Sequence, residues 1–119
     1  MMIVNVLGTE YIIIKRKYEE DPVFKERGID GYCDVFTKEI VLCDLSTYPS
    51  WEDEPENRRK IAENATLRHE IVHAFYNESG LQDSAFTVEC AWARNEEMVD
   101  WIAIQGPKIY KAWESVDAL

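Results

Sequence analysis

The stretch PENRRKIAENATLRHEIVHAFYNESG, Pro55 to Gly80, decides how this chain folds. From Pro55 to Ser79 no further proline and no glycine interrupts it. Ile61, Ala65, Ile71, Val72, Phe75 and Tyr76 recur at spacings near three and four, the period of one helix face. Asp53 or Glu54 supplies a capping residue, Pro55 fits the first helical position, and Gly80 supplies the left-handed residue that ends a helix. The spacing predicts one long helix, and that helix carries both histidines of the chain, His69 and His73.

Upstream, Ile3 to Lys17 is rich in β-branched and aromatic residues around Tyr11-Ile12-Ile13-Ile14 and reads as one or two strands. Glu19 to Asp30, with Pro22 and Gly28, reads as a loop or a short helix over one end of the sheet. Tyr32 to Phe36 and Ile40 to Leu45, joined by Thr37-Lys38-Glu39, have the pattern of a tight antiparallel hairpin. Downstream of a polar bend at Gln82 to Ser84, Val88 to Gln105 again has helical spacing, with Cys90, Ala91, Val99, Ile102 and Ala103 as core positions. Gly106-Pro107 is expected to break or kink it. A last short helix through Ile109, Tyr110 and Trp113 then packs back, and Val116 to Leu119 fray. The 119 residues are enough for one hydrophobic core, so a single α+β domain over 1–119 is expected, with a small N-terminal antiparallel sheet, then the long helix and C-terminal helices.

A net charge of −10, spread along the chain, repels phosphate backbones and anionic membranes, which excludes nucleic acid and membrane surfaces as expected partners. The one basic cluster, Lys15-Arg16-Lys17, is followed by Glu19-Glu20-Asp21, which cancels most of its field beyond a Debye length of ~8–10 Å. Three cysteines without a Cys-x-x-Cys pair suggest reduced, partly buried thiols. Met1 to Gly8 lacks the form of a leader peptide, and no apolar run approaches the ~20 residues of a spanning helix, so a cytoplasmic location is expected.

His69-Glu70-Ile71-Val72-His73 is the H-E-x-x-H pattern, placed well inside the long helix. Histidines four apart lie one turn above each other, so both imidazoles can reach one zinc ion at ~2.0–2.1 Å. Glu70 is rotated ~100° from His69 about the axis. Its carboxylate therefore flanks the metal without having to bind it, where a general base for an activated water belongs. A catalytic zinc needs a third protein ligand and an open position, and no other histidine is available. Asn95-Glu96-Glu97-Met98-Val99-Asp100 on the next helix offers Glu96 or Glu97. Glu96 is preferred because Asp100, four residues on and on its face, can accept the second ring N–H of a ligand histidine. Cys90 reads as a small core residue rather than a ligand.

The pair of motifs resembles the gluzincin zinc metallopeptidases, whose thermolysin-like members carry H-E-x-x-H and N-E-x-x-x-D. Residues Arg59 to Lys108 are also similar to small metallopeptidase-like proteins of phages and integrated elements of Gram-positive bacteria, including the ImmA/IrrE-like regulatory proteases that act on repressors. The resemblance implies a zincin-like fold, His69, His73 and Glu96 as zinc ligands, Glu70 as base, and Asp100 as acceptor to His69. Thermolysin-like enzymes carry a further histidine for the transition state, and this chain has none to spare. Tyr32, Tyr48, Tyr76 and Arg94 are the polar groups left for that role, none of them marked by its spacing.

The expected chemistry is metal-assisted hydrolysis of a peptide bond, with Glu70 taking a proton from water and passing it to the leaving amine, on a protein or peptide substrate such as one regulatory protein. By analogy with zinc peptidases, Ile40 to Leu45 is the candidate sheet edge for the substrate. The alternative is a zinc-binding regulatory or interaction module that turns nothing over. The oligomeric state stays open.

Overall fold

Leu7 and Gly8 both take positive φ, 52° and 92°. A two-residue turn matched to the right-handed twist of its strands requires that geometry, and glycine adopts it without strain. Asn5 Oδ1 accepts the Gly8 N–H at 2.9 Å and locks the turn. The Ile3–Lys17 region is thus a hairpin of β1 (Met2–Val6) and β2 (Thr9–Arg16). The structure, a computed structural model, describes residues 2–83 and 95–117. The expected core positions Cys90 and Ala91, and Arg94, lie outside these residues, as does the packing of Trp113 and the end of the chain from residue 118.

After β2 come α1 (Pro22–Arg27), β3 (Gly31–Asp34), β4 (Glu39–Cys43), α2 (Glu56–Glu78) and α3 (Glu96–Ser115). The sheet order is β1-β2-β4-β3. The β1–β2 and β3–β4 pairs are antiparallel, but β2 and β4 run parallel, with Ile12 beside Glu39 and Ile14 beside Val41. The sheet is therefore mixed, not antiparallel throughout. Parallel neighbours need a crossover of about a dozen residues or more, and the segment holding α1 and β3 provides it.

The crossover also corrects the expected substrate edge. β4 is hydrogen-bonded on both sides, so the edges are β1 and β3. Ile40 and Leu42 join Val6, Tyr11 and Ala74 in the core under α2, while Val41 and Cys43 join Phe24 and Leu45 in the core under α1. A strand covered on both faces reads as a continuous apolar run, which is what Ile40-Val41-Leu42-Cys43 is. Cys43 is a buried free thiol and Cys33 a partly buried one.

The long helix begins at Glu56, one residue later than expected, with Pro55 at the cap and no capping side chain. Its buried face differs from the expected stripe. Of that stripe Ile71 packs on the sheet side and Val72 and Tyr76 pack toward α3, but Ile61 is 67% exposed and Phe75 39%, and Ala62, Leu67 and Ala74 complete the buried face instead. The periodicity was disguised because polar residues, Thr66, Glu70 and Glu78, share that face.

Val99 and Ala103 are buried on α3, as the spacing suggests, but the helix continues through Gly106-Pro107 instead of breaking. Proline cannot donate to the carbonyl four residues back, that of Ala103. Arg68 Nε donates to this carbonyl at 3.2 Å, so the bond missing within α3 becomes a bond between α2 and α3. No helix among the described residues is long and apolar enough to cross a membrane.

Candidate metal centre

Tyr76 and Val99 are buried between α2 and α3, with Val72 and Ile102 packed against them, and this contact turns the His69–His73 side of α2 toward the start of α3. Asn95 Oδ1 accepts the backbone N–H groups of Glu97 at 2.9 Å and Met98 at 3.2 Å, the pattern of a helix cap. An asparagine before the acidic pair thus has a local cause: it starts the helix where Glu96 falls in the first turn.

The side chains brought together are the ones the motifs single out. Asp100 Oδ1 lies 2.6 Å from His69 Nδ1. Glu96 Oε2 is 3.1 Å from His69 Nε2, and Glu96 Oε1 is 3.3 Å from His73 Nε2. The two Nε2 atoms are 3.1 Å apart. Glu97 makes none of these contacts through its side chain among the described residues. His69 Nδ1–H donating to Asp100 leaves Nε2 with its lone pair toward the other groups. Lone pairs of imidazole nitrogens and carboxylate oxygens repel at these separations unless protons or a cation lie among them. One ligand atom from each of His69, His73 and Glu96 fits within a 4.8 Å span. Two imidazoles and one carboxylate fit the donor set of a zinc site that keeps a position open.

Glu70 is placed differently. Only 7% exposed, it sits between the helix and the sheet, with Oε1 3.8 Å from His69 Nε2. Burial pushes its pKa up to about 7; the nearby carboxylates of Glu96 and Asp30 add to the rise, and His69 and Arg27 oppose it. Burial also lowers the pKa of His73, against the pull of Glu96, and so favours the neutral imidazole that a metal requires.

Gly31 lets β3 come close to α2 at Thr66. A Cβ there would stand 2.7 Å from Thr66 Cγ2 and 3.1 Å from the Val41 carbonyl. Thr66, one turn before Glu70, also donates to Asp30 Oδ2 at 3.2 Å. Two clefts open on either side of the cluster. One, of about 630 Å³, reaches Asp30, Tyr48, Trp51 and Asp100; the other, of about 500 Å³, reaches Arg27, Cys33, Val35, His73 and Gln82.

Of the polar groups considered for stabilising a transition state, Tyr32 is engaged elsewhere. Its hydroxyl donates to Asp21 at 2.6 Å and accepts from Arg16 at 3.2 Å. Tyr76 is buried between α2 and α3, and Tyr48 lines the larger cleft. Arg27 and Gln82, which line the smaller cleft, were not anticipated, because isolated polar residues outside the two motifs carry no spacing signal. Comparison of the chain with protein-family models, with curated proteins and with solved structures found no match.

Proposed function

We propose that the chain is a zinc-dependent peptidase with a zincin-like arrangement, in which His69, His73 and Glu96 hold the ion, Glu70 is the general base and Asp100 orients His69. The observation that carries this reading is the convergence of three ligand atoms within 4.8 Å beside the buried carboxylate of Glu70. A bound zinc ion would supply Lewis acidity, acidifying a water toward pKa ~7 and polarising a carbonyl. Glu70 flanks the ligand cluster, so it can take the proton of that water. Once it holds that proton, Glu70 can return it to a leaving amine. Asp100 holds the His69 ring with Nε2 toward Glu96.

Clefts on both sides of the cluster give an extended peptide room before and after the bond to be cut. β3, an edge strand whose Gly31 lines both clefts, is the strand available to pair with such a peptide. A single regulatory protein is the substrate class proposed.

The test is zinc content by mass spectrometry together with cleavage of a degenerate peptide library. The wild type is expected to hold one zinc and to cleave. Glu70→Gln should keep the zinc and lose about 10²–10⁴-fold in rate, while His73→Ala should lose the metal. Zinc without cleavage would replace this reading with that of a zinc-binding interaction module; no stoichiometric zinc would remove both.

A further inference from the structure

Arg27 closes the last turn of α1, and its backbone is fixed from both ends of that short helix. Asp21 caps the start by accepting the Val23 N–H at 3.1 Å, Phe24 is fully buried beneath it, and Gly28 turns the chain at φ 63° while its own N–H bonds the Phe24 carbonyl. From there the Arg27 side chain lines the cleft on the His73 side. Its charge is felt at Glu70. Among the described residues it has neither an ion pair nor a hydrogen bond, in a chain where Arg16 and Arg58 each hold a carboxylate.

The two clefts differ in charge. The larger carries the carboxylates of Asp30 and Asp100 with the Arg68 guanidinium, whose Nε is spent on the Ala103 carbonyl. Glu70 and Glu96 line both clefts and belong to the proposed metal cluster, where the two charges of a zinc ion would offset theirs. What remains in the smaller is Arg27 with the neutral side chains of Gln82, Ile29, Tyr32, Cys33 and Val35. Gln82, which likewise has no hydrogen bond among the described residues, lines the same cleft.

We propose that Arg27 selects the substrate by pairing with a carboxylate on the part of the peptide that occupies the His73-side cleft, a statement that rests on the peptidase reading. A guanidinium presents two parallel N–H donors matched to a carboxylate, which lysine does not. The carboxylate can be an acidic side chain or the C-terminus of the peptide. Arg27 acts on the choice of substrate and not on the bond cleaved.

The test digests a degenerate acetylated, amidated peptide library, and the same library with free C-termini, using zinc-loaded wild type, Arg27→Gln and Arg27→Glu. Products are sequenced by mass spectrometry. Asp and Glu within about three residues of the cleaved bond should be enriched about two- to fivefold in the wild type, the scale of a partly exposed ion pair. The enrichment should vanish in Arg27→Gln and give way to Lys and Arg in Arg27→Glu, at unchanged zinc content. Enrichment in the amidated library assigns the carboxylate to a side chain; enrichment only with free C-termini assigns it to the terminus. An acidic preference unchanged in Arg27→Gln, or a uniform fall in cleavage of all sequences, overturns the proposal. Should the wild type cleave nothing, the peptidase reading fails separately. Arg27 is then judged by both libraries retained on immobilised zinc-loaded protein: acidic enrichment in the amidated library or preferential retention of free C-termini, lost in Arg27→Gln, keeps the carboxylate pairing, and the absence of both rejects it.

Discussion

Glu70 and Glu78 stand two turns apart on one helix and meet opposite environments. Glu78 is met by the sheet. Tyr11 OH donates to it at 2.6 Å, Lys38 Nζ at 2.7 Å and Thr9 Oγ1 at 3.0 Å, and these donors, Lys38 first, hold its pKa down at about 2. Tyr11 is itself fully buried, so this carboxylate completes the hydrogen bonding of the core and ties α2 to the hairpin turns. Glu70 is buried without such donors among the described residues, and its pKa rises to about 7. The last residue of α2 therefore has its charge satisfied, and the residue two turns earlier does not. A buried carboxylate without such donors costs stability that an apolar residue at the same position would not.

The widest separation between the two should come from measuring stability against pH in the zinc-free protein. Glu78 has a folded pKa below its ordinary value of 4.5, so its contribution is fully present above 4.5 and is lost as pH falls through about 2. Glu70 has a folded pKa above 4.5, so its contribution is fully present below 4.5 and is lost as pH rises through about 7. Glu78→Gln is expected to destabilise by about 1–3 kcal/mol at pH 7, since Lys38 loses its charged partner and one of the two oxygens that serve Thr9, Tyr11 and Lys38 becomes a donor, with the deficit shrinking toward pH 2. Glu70→Gln should be neutral near pH 4 and stabilising by about 1–3 kcal/mol at pH 8. Urea melts at four pH values read both slopes. Parallel curves for the two variants would erase the distinction.

A second way to sharpen the contrast is to disturb what covers Glu70. Gly31→Ala inserts a methyl 2.7 Å from Thr66 Cγ2 and should cost about 1–3 kcal/mol. Because β3 must retreat from α2, water should reach Glu70 and its titration should move back toward the ordinary range, while Glu78 stays unaffected. Adding Thr66→Ser removes the clashing methyl, keeps the hydroxyl that Asp30 accepts, and should recover part of the loss. Carboxyl titrations by NMR on the single and double variants read the effect; an unchanged Glu70 titration would mean that Gly31 does not govern its burial.

The sequence made some of this visible and hid the rest for physical reasons. The spacing of His69 and His73, with Asn95 to Asp100 following a glycine stop, marked the residues that the fold brings together, because helical geometry alone fixes which of them share a face. The hairpin through Thr37 was also legible in its turn and strand residues, while Ile3 to Lys17 read only as one or two strands. The parallel pairing of β2 with β4 was not, since no local pattern says which distant strand a run will join. The uninterrupted run Ile40 to Cys43 was the available sign that β4 is central. The fate of Glu78 was hidden because its partners Thr9, Tyr11 and Lys38 lie 40 or more residues away. The passage of α3 through Pro107 was hidden because the group that replaces the lost hydrogen bond comes from another helix.

That last exchange yields the smallest effect and a clean coupling. Arg68 immediately precedes His69, and Ala103 lies one turn beyond Val99 on the helix that carries Glu96 and Asp100, so the Arg68–Ala103 bond holds the two halves of the cluster in register. Arg68→Met should leave the Ala103 carbonyl without a donor and cost about 1 kcal/mol. Pro107→Ala supplies the carbonyl with an N–H from its own helix and should be close to neutral, because it replaces one partner by another. In the double variant the carbonyl keeps that helical partner, so the loss on removing Arg68 should shrink, giving a coupling of about 0.5–1 kcal/mol in a double-mutant cycle. Stability alone would then be restored while the tie between the helices is still missing. Zinc affinity in the double variant should stay below wild type even as its melting temperature recovers, and recovery of both together would mean that packing around Val99, not the Arg68 bond, sets the position of α3.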